Sequence, residues 1–104
     1  MNALTKEQRT RHQELAKQLR PAVSEFVELP NGYEAKFESG RDLELEIVEF
    51  IKLELLCCPF FTLELVASTD GKPTLLRVTG QNEIKPFIRA EFGISETQSE
   101  AQDA

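Results

Sequence analysis

The 104-residue sequence predicts a single α+β domain: a four-stranded antiparallel sheet with helices packed mainly on one face. Three observations carry this. Two pairs of short alternating segments are separated by turn signals, Pro30-Asn31-Gly32 and Asp70-Gly71-Lys72-Pro73. Three other segments place apolar residues at helical spacing. In order they read α-ββα-ββα, a first helix followed by two units alike in pattern but not in residues. The length suits one hydrophobic core. The domain is expected to span 1–94, with 95–104 a flexible acidic tail.

The first helix opens on Thr5-Lys6-Glu7-Gln8, the spacing of a capping box. His12, Leu15, Ala16 and Leu19 follow on one face, and Lys6, Arg9, Gln13, Lys17 and Arg20 form the opposite, wet stripe. Pro21 disfavours helix at Arg20 and stops it there. In the first hairpin two turns compete. A two-residue Asn31-Gly32 loop puts Val27 and Leu29 on the face of Glu34 and Lys36. A three-residue Pro30-Asn31-Gly32 loop puts them with Tyr33, Ala35 and Phe37, with Gly32 as a left-handed bulge residue. The apolar match favours the second, which leaves Phe26 on the outer face as a contact for a partner.

Residues 42–57 alternate at first, yet Leu43, Ile47, Phe50, Ile51, Leu55 and Cys58 have helical spacing, and Asp42 and Glu44 suit a helix start. The stretch is expected to be a helix ended by Pro59. Phe61, Leu63 and Leu65 mark a half-buried strand, and Thr74 to Thr79 the strand that returns. A last short helix opens near Gly80 and Asn82, carries Ile84, Phe87 and Ile88, and stops at Gly93.

The net charge of −6 is uneven. Residues 1–20 hold five basic and two acidic groups, whereas 21–56 hold three basic and nine acidic. An acidic body argues against nucleic acid, whose binding depends on neutralising phosphates. The basic first helix is expected to face the acidic body of its own chain or of a second copy. No apolar run approaches the roughly 18 residues that cross a bilayer, so no membrane partner is expected. The polar, charged N-terminus does not read as a secretory signal. The expectation is a cytoplasmic protein with reduced thiols.

Cys57 and Cys58 are the only cysteines, adjacent, and followed by Pro59-Phe60-Phe61. Soft thiolates suit mercury, arsenite, Cu(I) and zinc. Consecutive helix positions diverge, so one ion can be shared only where the helix ends, as Pro59 would make it do. Against reactivity, a helix C-terminus disfavours a thiolate, and a cysteine is most often simply buried. Glu54 lies on the helical side of the pair. His12 is the only histidine and is a further donor from the first helix. Cys57, Cys58, Glu54 and His12 are thus the candidate metal ligands, although the familiar two-pair zinc spacing is absent. No glycine-rich phosphate loop or HExxH pair is present, no catalytic set stands out, and Arg77 and Arg89 are at most anion contacts.

The run Glu54-Leu55-Leu56-Cys57-Cys58-Pro59-Phe60-Phe61, with Glu28-Leu29-Pro30-Asn31-Gly32-Tyr33 and Leu76-Arg77-Val78-Thr79-Gly80, resembles a group of small bacterial proteins of uncharacterised activity. They share a Glu, two variable residues and Cys-Cys-Pro-Phe. The resemblance covers roughly residues 10 to 90 in pattern. It implies a bacterial source, a helix leading into the cysteines and Glu54 as part of the motif, and it supplies no mechanism. The leading expectation is a small binding or sensing domain, its expected partner a second copy of itself, whose thiols with Glu54 take up a soft metal. The alternative is a homodimeric interaction module with cysteines that only pack, and a thiol-dependent enzyme comes third.

Overall fold

The computed structural model describes residues 4–38, 43–68, 71–81 and 83–94. Asp42, Asp70, Asn82 and the segment 95–104, each given a role above, lie outside the described residues. The elements are α1 (Lys6–Leu19), a short 3-10 turn (Arg20–Ala22), β1 (Val23–Leu29), β2 (Gly32–Phe37), α2 (Glu44–Cys57), β3 (Thr62–Val66), β4 (Thr74–Thr79) and α3 (Lys85–Phe92). The sheet is antiparallel throughout, in the order β1-β2-β4-β3. The two hairpins therefore meet through their second strands, and the α+β architecture is as the sequence predicts. No helix among the described residues is long and apolar enough to cross a membrane.

The capping box forms: Gln8 N–H donates to Thr5 Oγ1 at 3.1 Å, and Thr5 N–H donates to Gln8 Oε1 at 2.9 Å. Leu15 and Leu19 are buried, with Ala16 and His12 half-buried beside them. Arg11 grips Glu49 on α2 through two bonds of 2.8 Å, so the basic helix does face its own acidic body. At the other end of α2, Thr74 Oγ1 donates to Glu44 at 2.9 Å.

Three expectations are corrected. In the first hairpin Leu29 pairs with Gly32 and Val27 with Glu34, so the loop is Pro30-Asn31. Val27 and Leu29 share the face of Glu34 and Lys36, as the disfavoured alternative had it, rather than that of Tyr33, Ala35 and Phe37. Gly32 lies inside β2 without left-handed backbone. Its requirement is steric, since a Cβ there would meet the Val78 carbonyl oxygen at 2.0 Å. This register pairs Phe26 with Ala35 and turns its ring inward, where it packs against the core instead of serving as an outer contact. A bulge between Val23 and Glu25 then brings Val23 opposite Phe37. On α2 the buried stripe is Leu43, Ile47, Phe50, Leu53 and Glu54, and Leu55 is exposed. On α3, Ile84 and Ile88 are buried while Phe87 points out, 61% exposed.

The helix-covered face of the sheet presents Tyr33, Ala35, Phe37, Leu76 and Val78 to the core. Arg89 donates to the Tyr33 hydroxyl at 3.0 Å, and Lys85 reaches Glu28 at 2.6 Å. These contacts fix α3 across the sheet, opposite the end of α2.

Candidate metal centre

Between the end of α2 and the last turn of α3 the core becomes polar. The α-helix stops at Cys57; Cys58 leaves helical geometry (φ −130°, ψ 74°), and Phe61 N–H donates to the Cys58 carbonyl at 3.1 Å. Pro59 thus opens a turn, which swings the second cysteine off the helical path. Cys57 is half-buried, and Cys58 packs with Tyr33, Phe61, Val78 and Ile88. The uncoiling that lets both sulfurs serve one ligand is present.

Both thiols meet a residue the sequence reading passed over. One donor atom each from Cys57, Cys58 and Glu91 lies within 4.8 Å of the others. The same limit encloses a second trio, His12, Glu54 and Glu91. All four predicted residues therefore converge, but His12 joins the carboxylates rather than the thiols, and Glu91 belongs to both groups. A signal for Glu91 existed in the spacing of α3: it lies seven residues after Ile84 and three after Ile88, on their buried side.

Glu54 is 0% exposed. His12 Nε2 lies 2.6 Å from its Oε1, while Oε2 is buried without a hydrogen-bond partner. Burial first, then the neighbouring Glu91, push the Glu54 carboxyl up to about 9, and the Cys58 thiol opposes this more weakly. Burial also lowers the His12 pKa, with Glu91 working against it. At neutral pH a neutral carboxyl thus meets a neutral imidazole, which is a hydrogen bond rather than an ion pair. The imidazole is aimed by stacking on Phe50 at 5.0 Å. Burial, followed by the negative potential of Glu91 and Glu54, drives the Cys58 thiol strongly upward. Such a thiol is a poor nucleophile.

One physical fact unites these shifts: acidic groups are gathered in a buried place with no cation described among them. A bound cation would offset that cost, because it supplies the countercharge that the buried carboxyl and thiol lack. His12 and Glu91 also line a largely apolar cavity of about 60 Å³ with Phe26, Phe37, Phe50 and Phe92. Elsewhere, Arg77 is taken up by Glu34 at 2.7 Å and Arg89 by Tyr33, so the two candidate anion contacts have structural partners. Comparison with protein-family models, curated proteins and solved structures found no match.

Proposed function

We propose that this protein is a small binding or sensing domain for a thiophilic metal ion, held by Cys57, Cys58 and Glu91. The observation that carries the reading is the convergence of two sulfurs and a carboxylate within 4.8 Å at a helix end. Mercury, arsenite and zinc all suit such a donor set, the first two most. Binding displaces thiol protons, so affinity rises with pH. The strongly raised Cys58 thiol argues against thiol catalysis, and a bound ion has to displace its proton. The resemblance noted above supports a bacterial source, and the polar N-terminus supports a reducing compartment in which these thiols stay available.

Titration with Hg(II) and arsenite tests this. Wild type is expected to bind one equivalent, and Cys57→Ser and Cys58→Ser each to weaken binding by about 100-fold or more, beyond the loss of a mere supporting contact. Unchanged affinity in both variants contradicts the reading.

A second reading, a homodimeric interaction module, is favoured by one surface. Phe60 and Phe87 are 53% and 61% exposed and meet edge-on at 6.2 Å. Sedimentation of wild type against Phe60→Ser/Phe87→Ser separates the two: a dimer lost in the variant supports the module, and a monomer in both contradicts it.

A further inference from the structure

The Glu91 carboxylate has a second set of neighbours on the side away from the thiols. We infer that His12, Glu54 and Glu91 form a separate site for a divalent cation of borderline hardness, such as zinc, with Glu91 shared between the two centres. The inference goes beyond the thiol site and does not need it to be correct.

Three observations support it independently of the sulfurs. First, one imidazole nitrogen and two carboxylate oxygens lie within 4.8 Å of one another, brought from α1, α2 and α3. Nitrogen and oxygen donors at about 2.0–2.2 Å from the ion are the usual company of zinc, and three protein ligands leave a fourth position for water or a small ligand. Secondly, Glu54 Oε2 is wholly buried and has no hydrogen-bond partner. A polar atom left in that state is costly unless something else completes it. Thirdly, a cavity of about 60 Å³ lies beside His12 and Glu91, two of the three donors, so there is space next to them for a fourth ligand.

The donor chemistry divides the ions. Two thiolates select the softest ions, whereas imidazole and carboxylates select zinc or cobalt over mercury and arsenite. On binding, His12 Nε2 gives up its bond to Glu54 Oε1 and turns its lone pair to the ion. Glu54 releases its proton to solvent and offers Oε2. Stacking on Phe50 confines the imidazole plane, so the adjustment is a small rotation of the ring and carboxyl.

Co(II), a spectroscopic stand-in for zinc, tests the proposal in the Cys57→Ser/Cys58→Ser double variant. One Co(II) is expected to bind with ligand-field bands and without sulfur-to-cobalt charge transfer. Added to that double variant, Glu54→Gln and His12→Gln, each close to the native shape, should weaken this ion by about 100-fold or more. In wild type the same two changes are read with Hg(II). Both should still take up one Hg(II) at the thiols. If the double variant does not fold, as judged by circular dichroism, Cys57→Ala/Cys58→Ala replaces it. No Co(II) binding without free thiols overturns the inference, as does unchanged affinity in both Glu54→Gln and His12→Gln. Loss of Hg(II) selectivity with Co(II) binding intact would remove the thiol reading and leave this site standing.

Discussion

The open face of the sheet and its helix-covered face each bury a glutamate, and the two are handled differently. Glu34, on the open face, is 9% exposed and meets Arg77 at 2.7 Å, with Glu64 across the neighbouring strand on the other side of Arg77. Glu54, on the covered side, is completely enclosed and has a neutral imidazole, a second carboxylate and a thiol around it. The first arrangement is a closed structural account in which charge meets countercharge. The second is open: one oxygen is left over, and the basic side chains described nearby are His12, whose pKa burial lowers, and Arg20, which lines the cavity beside Glu91. A buried carboxyl without a cation is a stability liability. In the proposal above, a ligand would supply the positive charge that this place lacks.

Breaking this contrast at Glu54 should have the largest effect. With an ordinary value of 4.5 and a folded value of about 9, the metal-free protein loses stability across that interval, because the unfolded chain gives up its proton while the folded one keeps it. Below about pH 4.5 both states are protonated and the contribution is intact; above about pH 9 its loss is complete. Glu54→Gln removes this dependence. Denaturant unfolding without metal should show the variant gaining on the order of 2 kcal/mol over wild type at pH 8, and near equality at pH 4. A variant weaker than wild type at both pH values would mean that Glu54 is a structural residue like Glu34.

The cysteines sharpen the contrast at a smaller scale. Cys58 packs among apolar side chains, so Cys58→Ser should cost about 1 kcal/mol of metal-free stability, whereas half-buried Cys57→Ser should be nearly neutral. Thiol reagents should label Cys57 faster than Cys58, and bound Hg(II) should block both. Equal stability losses with no protection by Hg(II) would favour packing alone.

The smallest effect is expected on the open face. A double-mutant cycle between Glu34→Gln and Arg77→Ala should return a coupling of about 0.5 kcal/mol that shrinks with added salt, because Arg77 is well exposed. A coupling as large as the Glu54 effect would erase the distinction between the two faces.

How much of this was legible in the sequence follows from which forces are local. The capping box at Thr5, the stop at Pro21, the turn at Pro59 and the end at Gly93 depend on neighbouring residues, and each stands where the sequence puts it. Register is not local. The first hairpin is also paired along β4, where Gly32 lies so close to the Val78 carbonyl that a Cβ would not fit, a contact between segments far apart in the chain. The site divides the same way. Cys57, Cys58 and Glu54 share one helix end, and His12 lies on an apolar face, so their types and spacing announced them. The depth of Glu54 was not foretold: it follows Phe50 by four residues, but a helical glutamate reads first as solvated. Glu91 was hidden because a glutamate near a chain end reads as a solvated charge until α3 is laid across the sheet.

The central claim is that buried acids and adjacent thiols at the end of α2 form a cation centre. X-ray absorption at the mercury edge, on protein loaded with one equivalent of Hg(II), examines it most directly. The account predicts two sulfur neighbours and a lighter oxygen neighbour, with the oxygen lost in Glu91→Gln. A first shell with a single sulfur, or one unaltered in Cys57→Ser/Cys58→Ser, would contradict it.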